Sequence, residues 1–342
     1  MAPRQRRRRQ WHGRGLAACL GGAVVALGLA VSVTLGAAGP ARADWRKPLA
    51  DDFEGTTFAP GGGLFFKKNF EQSAGKVTFE KGPGAFSGKG YLKLSVRHIC
   101  PPGREGCSER AEIWQRTRNR VPFGAGIWDG FAVRFAKPIP RDDHRYVIAQ
   151  WKREIDPGAK GDWSPFLAIR MDRGKLFVTV ETDWAKAVSV GPKGVRARCP
   201  AGQTPVWLRP KTHQMRALVV ADRGFEKGDA TDFNACTDRI RVTRHGAPLP
   251  QPGTKWVDYV IYSRPGAHGK GHIEIFADNR WIATVKGDIG FDAPGLGKNQ
   301  YFKFGPYRDG EQGIWTMYYD DFRRSPQCRD VLKDAALCAK VR

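Results

Sequence analysis

Short stretches in which every second residue is apolar constrain the fold of this chain more than any other feature. Leu92, Leu94 and Val96 alternate with polar residues, and the same spacing recurs at 131–135, 175–181 and 272–276. Such alternation predicts strands with one buried face. Clusters of Gly, Pro, Asn and Asp lie at the ends of these stretches. The 342 residues include 41 Gly and 23 Pro. The sequence therefore predicts an all-β protein built as an antiparallel sandwich.

The composition is consistent with one large folded domain. Hydrophobic residues make up 41% of the chain and aromatic residues 11%, which suffices for a sizeable core and excludes a disordered protein. Frequent Gly and Pro exclude coiled coils and helical bundles. Because no repeat or low-complexity linker divides residues 44–342, we predict a single domain there. Residues 187–253, rich in Pro, Gly, Arg and Lys, are expected to form long decorating loops, and residues 330–340 a short C-terminal helix.

The first 43 residues have the organisation of a secretory signal peptide. Six arginines precede an apolar stretch at 16–38, and Ala41-Arg42-Ala43 follows as a small-x-small cleavage site. An uncleaved membrane anchor is the alternative, since the apolar stretch is long for a signal peptide. We expect a secreted protein, extracellular or periplasmic, without membrane association after cleavage.

The net charge predicts an acidic partner. The chain carries 57 Lys and Arg against 34 Asp and Glu, a net charge of +23. Loss of the signal peptide would remove seven arginines, leaving 50 basic residues and a net charge of +16. A secreted cationic protein is expected to meet an anionic polysaccharide, and the alternative is that the charge only maintains solubility. Export and the lack of a basic helix argue against nucleic acid, and we expect a monomer.

Six cysteines remain beyond the predicted signal peptide, and an even number in an exported chain favours disulfides. Sequential pairing would join Cys100 to Cys107, Cys199 to Cys236 and Cys328 to Cys338. This is one of fifteen possible pairings of six cysteines.

Three strand-like segments, 110–114, 147–152 and 301–308, each combine one apolar face with one polar face. The apolar faces carry Ala111, Ile113, Ala149, Trp151, Phe302 and Phe304. The polar faces carry Arg110, Glu112, Trp114, Gln150, Lys152, Tyr301, Lys303, Gly305 and Tyr307. On neighbouring strands these polar faces would form one cationic, aromatic-lined groove, with Gly305 leaving room for a sugar ring. The alternative is three ordinary amphipathic strands whose outer faces are simply wet.

These segments resemble the signature strands of jelly-roll polysaccharide lyases. Arg110-x-Glu112, Gln150-x-Lys152 and Tyr301-Phe-Lys-x-Gly-x-Tyr307 are similar to the alginate lyase motifs Arg-x-Glu, Gln-x-His and Tyr-Phe-Lys-Ala-Gly-x-Tyr, in the same order. The chain resembles the heparin lyase I-like and glucuronan lyase-like group still more closely. That wider similarity spans residues 50–325 and includes Asp52-Phe-Glu-Gly55, Trp163-Ser-Pro-Phe166 and Asp320-Asp-Phe322. The resemblance implies a concanavalin-like jelly roll.

The resemblance also implies an activity, the cleavage of a uronic-acid polymer by β-elimination that leaves a 4,5-unsaturated end. Arg110 and Gln150 are suited to neutralise the uronate carboxylate, so that the proton on C5 becomes acidic. Tyr307 matches the family's catalytic tyrosine. Because a phenol with a reference pKa of about 10 is a poor base, we expect cations, Lys303 and Arg308 among them, to favour its ionised form.

Further residues are assigned supporting roles. Glu112 is expected to orient Arg110 across the strand pair. The substrate-binding candidates are Lys303, Tyr301, Glu112, Arg134 and Arg308.

Lys152 departs from the family pattern, which often has His at this position. A protonated lysine neutralises charge, whereas a lysine with a depressed pKa can act as a base. We favour charge neutralisation, with Tyr307 taking both proton steps in a syn elimination. The alternatives are that His98 or His144 enters the site from a loop, or that the site is inactive.

Two other activities compete with a lyase. Glu154-Ile-Asp156 is similar to the start of the laminarinase-type motif Glu-x-Asp-x-x-Glu, but Ala159 stands where the second Glu belongs, and hydrolysis needs two carboxylates. A non-catalytic, lectin-like protein could use the same basic and aromatic groove.

Signals for metals are weak, and no cofactor is firmly predicted. His268 and His272 stand four residues apart among glycines that disfavour a helix, which argues against a zinc pair. Asp320 and Asp321 could bind Ca²⁺, but adjacent strand residues face opposite ways, and we favour a pair that caps loops.

Overall fold

The alternating stretches pair into antiparallel sheets in a computed structural model of the chain. The structure describes residues 44–55, 65–67, 73–102, 104, 106–138, 141–142, 144–161, 163–183, 189–190, 197–225 and 232–341. The predicted signal peptide at 1–43 lies outside this part, so the predicted domain boundary stays a prediction. No described helix is long and apolar enough to cross a membrane.

The described strands are, in chain order, β1 (Leu49–Asp51), β2 (Phe65–Lys67), β3 (Gly75–Lys81), β4 (Gly90–Arg97), β5 (Ser108–Arg110), β6 (Ile113–Gln115), β7 (Val121–Pro122), β8 (Ile127–Phe135), β9 (Tyr146–Ile155), β10 (Leu167–Asp172), β11 (Lys175–Asp183), β12 (Ser189–Val190), β13 (Thr204–Arg209), β14 (Gln214–Ala221), β15 (Ala235–Thr237), β16 (Ile240–Arg244), β17 (Val257–Arg264), β18 (Gly266–Ala277), β19 (Arg280–Ile289), β20 (Leu296–Asp309) and β21 (Ile314–Ser325). Short 3₁₀ turns lie at Thr117–Asn119, Pro210–Thr212 and Cys328–Asp330, and helix α1 spans Ala335–Lys340.

These strands form two sheets. Sheet 1 has the order β16-β19-β18-β17-β8-β21-β4-β3, with β1 paired to β21. Sheet 2 has the order β12-β15-β13-β14-β11-β10-β9-β20-β6-β2, with β5 and β7 paired to β20. The pairings that join these strands are antiparallel, which confirms the predicted sandwich class.

The core lies between the sheets and follows the predicted alternation. Leu92, Leu94 and Val96 from sheet 1 belong to the same buried cluster as Phe302 and Phe304 from sheet 2. The ring of Phe304 packs edge-on against Phe65, with the ring centroids 5.3 Å apart. Each sheet packs its apolar face against the other sheet, so its second face points outwards. The outward face of sheet 2 carries the candidate site.

The structure corrects one expectation and confirms two. Within residues 187–253, strands β13 and β14 extend sheet 2 rather than forming loops, since Val206, Met215 and Ala217 enter the core. Frequent Pro, Gly and charged residues concealed this alternation. The three predicted disulfides are present, joining Cys100 to Cys107, Cys199 to Cys236 and Cys328 to Cys338. The C-terminal helix is present as α1, with the Asp334 carboxylate accepting from the first free backbone amides.

Candidate active site

The three polar segments lie on adjacent strands of sheet 2. Strand β20 pairs with β9 on one side and with β5 and β6 on the other. Its register places Lys303 opposite Gln150, Tyr301 opposite Lys152, and Tyr307 opposite Arg110. Residues directly opposite in neighbouring strands project from the same face of a sheet. The three segments therefore contribute to one surface.

Apolar side chains on the other face fix which way this surface points. Ala111, Ile113, Ala149, Trp151, Phe302 and Phe304 all belong to the buried core. Successive side chains in a strand point to opposite faces. The polar residues between them are therefore directed away from the core, as the sequence predicts.

Gly305 has a different role from the one expected. It marks an irregularity in the register between Phe304 and Tyr307 and has a φ of +125°, which favours glycine. A Cβ at this position would lie 2.3 Å from the carbonyl oxygen of Ala111 and 2.9 Å from Leu94. Gly305 thus allows close backbone approach within the sandwich, and the prediction that it makes room for a sugar ring was wrong.

Glu112 joins two strands through a buried carboxylate. Its Oε1 accepts from Gln150 Nε2, and its Oε2 accepts from Lys303 Nζ at 2.9 Å. All three side chains are at most 3% exposed. Lys303 Nζ also lies 4.8 Å from the centre of the Trp114 ring. Glu112 therefore orients Gln150 and Lys303, not Arg110 as the sequence suggested.

Two guanidinium groups flank the Tyr307 ring. The Cζ atom of Arg110 lies 4.0 Å from the ring centre, and that of Arg145 lies 4.7 Å from it. Arg145 is itself fixed by Asp309, through Nη2 to Oδ1 at 2.6 Å. Sequence reasoning missed Arg145, because it precedes β9 and so falls outside the alternating pattern.

The structure does not bring Arg308 to this surface. Arg308 is 2% exposed, its Nε donates to Glu109 Oε2 at 2.7 Å, and its Nη2 donates to the carbonyls of Glu311 and Gly313. Burial disfavours the charged form of Glu109, but the hydrogen bond from the Ile99 amide and the charge of Arg308 together have a larger effect. The pKa of Glu109 is therefore below its usual value. As the strand neighbour of Tyr307, Arg308 points to the opposite face.

Arg134 is also excluded from the site. It lies on β8 in sheet 1, and its guanidinium packs over the rings of Tyr318, at 4.0 Å, and Trp256, at 5.0 Å. Arg134, a substrate-binding candidate from the sequence, therefore does not share the surface that carries Tyr307, because the alternation of β8 does not indicate which sheet contains the strand.

Tyr301 lies in an aromatic stack at one end of the surface. Its ring stacks on Trp114, with centroids 5.3 Å apart, and Arg120 covers it at 4.6 Å. Burial raises the pKa of Tyr301 above its usual value, although Arg120 opposes the shift. Tyr301 therefore remains protonated at neutral pH. Lys152, opposite it on β9, is half-buried.

The other candidates are held elsewhere. The carboxylate of Glu154, the hydrolase-type candidate, accepts from Arg120 Nη1 at 2.7 Å and from the Asn299 amide at 3.1 Å. His98 Nδ1 lies 2.9 Å from Glu109, on the face of β5 opposite Arg110. His144 lies 3.3 Å from Asp142, and Asp142 also accepts from the core residue Tyr146. The structure gives neither histidine a contact with Tyr307 within the described part.

Asp320 and Asp321, the pair for which calcium was the alternative, contact other groups. Asp320 Oδ2 accepts from the amides of Phe86 and Ser87, at 2.7 and 3.0 Å, and its Oδ1 accepts from the Asp321 amide. Burial raises the pKa of Asp320 to about 6. Asp321 instead bonds Arg323 at 2.7 Å, and a guanidinium beside a carboxylate disfavours a second cation. His268 and His272 contact different carboxylates, those of Asp292 and Glu274.

A second charged cluster occupies the same face of sheet 2. Glu181 on β11 is fully buried and accepts from Arg170 Nη2 at 3.0 Å, Arg216 Nε at 2.7 Å and Arg209 Nη1 at 3.4 Å. Burial opposes its charge, but the three guanidiniums outweigh it and hold the pKa of Glu181 below its usual value. Sequence reasoning missed this cluster, although Arg170 within the apolar run 167–171 was a signal for it.

The sequence matches a known protein family, and the fold is similar to that of a solved structure. A family model of polysaccharide lyases matches residues 64–323. The crystal structure of an endo-β-1,4-glucuronan lyase from the fungus Trichoderma reesei is similar, with a TM-score of 0.53 and 17% sequence identity over 84% of this chain and 98% of that one. The cellulose-induced protein Cip1 matches with a TM-score of 0.40 and 15% identity, over 81% of this chain and 97% of its own. No curated protein matches the sequence.

Proposed function

The chain belongs to the polysaccharide lyase family, and we propose that it is a secreted enzyme that cleaves a uronic-acid-containing polysaccharide by β-elimination. Its fold is the jelly-roll sandwich, and it is a carbon–oxygen lyase that acts on a polysaccharide. The observation that carries the proposal is the placement of Arg110, Gln150 and Tyr307 on one face of sheet 2. The three disulfides are consistent with an oxidising compartment.

Neutralisation of the uronate carboxylate is the first requirement of the reaction. Removal of the C5 proton places negative charge on the carbon and the adjacent carboxylate, and donors aimed at that charge lower the barrier. Arg110 supplies a guanidinium, which can bind a carboxylate through two parallel hydrogen bonds. Gln150 supplies an amide that the buried Glu112 carboxylate holds in place. Lys152 adds a positive charge beside Gln150, in the role that we favour for it.

Tyr307 is assigned both proton transfers. Tyr307, acting as a phenolate close to the Arg110 and Arg145 guanidiniums, accepts the proton from C5 and becomes a phenol. The C4–O bond then breaks, the C4=C5 double bond forms, and the phenol returns this proton to the departing oxygen. The proton that leaves C5 ends on the new hydroxyl group, so no external acid or base is consumed. A single residue that serves both steps acts on one side of the sugar, which gives a syn elimination.

The test is a screen of purified protein on polymers of glucuronate, guluronate and mannuronate and on sulfated uronate polymers. The product carries a double bond conjugated to its carboxylate, so ultraviolet absorbance reports elimination directly. We expect absorbance to rise with at least one polymer. Reducing ends without that absorbance would indicate hydrolysis instead, and binding without any cleavage would indicate a lectin.

Arg110→Lys is expected to lower kcat about 100-fold, because a single ammonium cannot bind the carboxylate through two parallel hydrogen bonds. Gln150→Ala should lower kcat similarly, since it removes a preorganised donor and leaves half of the Glu112 carboxylate without a partner. Steady-state kinetics on the preferred polymer checks both changes. A change in KM alone would instead assign these side chains to ground-state binding.

Arg134→Gln is expected to leave kcat/KM within about twofold of the wild type. Arg134 lies in sheet 1 and can affect the site only through long-range electrostatic interactions, which salt screens. This variant also controls for the loss of one positive charge. A large loss of kcat/KM with unchanged thermal stability would place substrate on sheet 1 and contradict the assignment of the site to sheet 2.

A further inference from the structure

A cavity of about 310 Å³ opens beside Tyr307 on the same face of sheet 2. We call it the arginine pocket. Its lining includes Arg145, Arg170, Trp207, Arg209, Arg216 and Asp309. The pocket is continuous with the candidate site, because Arg145 both lines it and covers the Tyr307 ring.

The register of four strands connects the pocket to the reaction centre. Arg170 pairs with Val147, Val147 with Tyr307, and Tyr307 with Arg110, so these residues form one row across β10, β9, β20 and β5. Two strand spacings, about 10 Å, separate Arg170 from Tyr307 along this row. A polysaccharide chain that follows the row from Arg110 past Tyr307 reaches the pocket next.

Positive charge exceeds negative charge around the Glu181 carboxylate. The three guanidiniums of Arg170, Arg209 and Arg216 share one carboxylate, that of Glu181. The pocket also contains Asp309, which is bound to Arg145, half-buried Asp172 and exposed Asp232. Solvent screens an exposed carboxylate more than it screens guanidiniums that are less than 10% exposed, such as those of Arg170 and Arg216.

Arg216 has hydrogen-bonding capacity left over. Within the part of the chain that the structure describes, it donates only through Nε, to Glu181. Its guanidinium packs over the Trp207 ring at 4.8 Å, which orients the group without using its two terminal nitrogens. A buried cation with unused donors is costly unless an anion meets it. Trp207, Phe177 and Phe233 supply apolar surface beside these donors, as sugar sites commonly do.

We propose that the arginine pocket is a second anion-binding subsite, which takes the carboxylate or sulfate of a sugar near the one that is cleaved. The inference rests on the proposed function, since it assigns this pocket to the same polymer. Arg209 and Arg216 bind the anionic group, Trp207 packs against the sugar, and Glu181 holds the guanidiniums in place. The subsite thus favours polymers that carry charge at both positions.

The test compares Arg216→Gln and Arg209→Gln with the wild type. Each variant keeps two guanidiniums on Glu181, so the buried carboxylate retains partners. The kinetic substrates are a homopolymer of uronate, a polymer that alternates uronate with a neutral sugar, and a sulfated alternating polymer. On the homopolymer, we expect KM to rise about tenfold with little change in kcat. A factor of this size corresponds to the loss of one charged hydrogen bond. On the neutral alternating polymer, KM should change less than twofold.

The sulfated polymer distinguishes the two anionic groups. A rise in KM equal to that on the homopolymer means that the pocket accepts sulfate as well as carboxylate, and an unchanged KM means that it takes carboxylate alone. Arg216→Lys should recover part of the affinity, since it restores the charge. Arg241→Gln, an exposed charge change on β16 of sheet 1, is the matched control.

Binding is measured separately by calorimetry, with a uronate oligosaccharide and the Tyr307→Phe protein. We expect Arg216→Gln in that background to weaken binding by the same factor as it raises KM. Equal losses on all polymers, or no loss on any, would overturn the subsite. Failure of the wild type to produce unsaturated ends would overturn the proposed function instead, and the calorimetric comparison would still decide the subsite.

Discussion

Tyr307→Phe is expected to lower kcat about 1,000-fold or more while polymer binding stays within about twofold of the wild type. General acid–base catalysis by one side chain contributes about 100- to 10,000-fold, and in the proposed mechanism this phenol performs both proton transfers. The substitution removes one oxygen and keeps the ring between Arg110 and Arg145, so the surface itself should persist. Ultraviolet detection of unsaturated ends measures turnover, and calorimetry with an oligosaccharide measures binding.

Tyr301→Phe is the matched control for this prediction. The same atom is removed from the same strand, but burial keeps the Tyr301 hydroxyl protonated. The control should lose less than about tenfold in kcat, in line with a lost contact rather than a lost proton donor. Similar losses in the two variants would argue for a general effect of disturbing β20. A fully active Tyr307→Phe protein would remove this phenol from the mechanism.

The face that each site residue occupies could be predicted from the sequence, because strand alternation sorts side chains without knowledge of the tertiary fold. Ala149 and Trp151 are apolar and enter the core, so Gln150 between them is directed outwards. The resemblance to the lyase motifs is what leads us to expect that the three segments are neighbours. The pairing of β20 with β9, β5 and β6 agrees with this expectation.

Other features could not be predicted, because they depend on which strands meet. Alternation alone cannot distinguish Arg134 in sheet 1 from a residue in sheet 2. Nor can it show that Glu112 bonds Lys303, since these residues are 191 positions apart. The arginine pocket requires β13 and β14 to continue sheet 2, and those strands lie in the region predicted to be loops.

Glu112→Ala is expected to reduce the free energy of unfolding by about 3 to 5 kcal/mol, because it breaks the buried ion pair between Glu112 and Lys303. Lys303 is only 3% exposed, although it lies on the outward face of sheet 2. The substitution should also lower kcat about 100-fold, because Gln150 loses the carboxylate that positions it. Denaturant unfolding measures the first effect, and turnover at a temperature well below unfolding measures the second.

Two comparisons separate the buried pair from ordinary surface charge. Glu80→Ala breaks the half-exposed ion pair with Lys93, whose atoms are 2.8 Å apart, and should cost less than about 1 kcal/mol. The double variant Glu112→Gln with Lys303→Met replaces the buried ions by neutral groups of similar volume, so most of the unfolding free energy should return. Turnover should stay low in the double variant, because an amide holds Gln150 less firmly than a carboxylate does. If Glu112→Ala lost activity without losing stability, this carboxylate would act on the substrate directly, and its assignment to positioning Gln150 and Lys303 would be wrong.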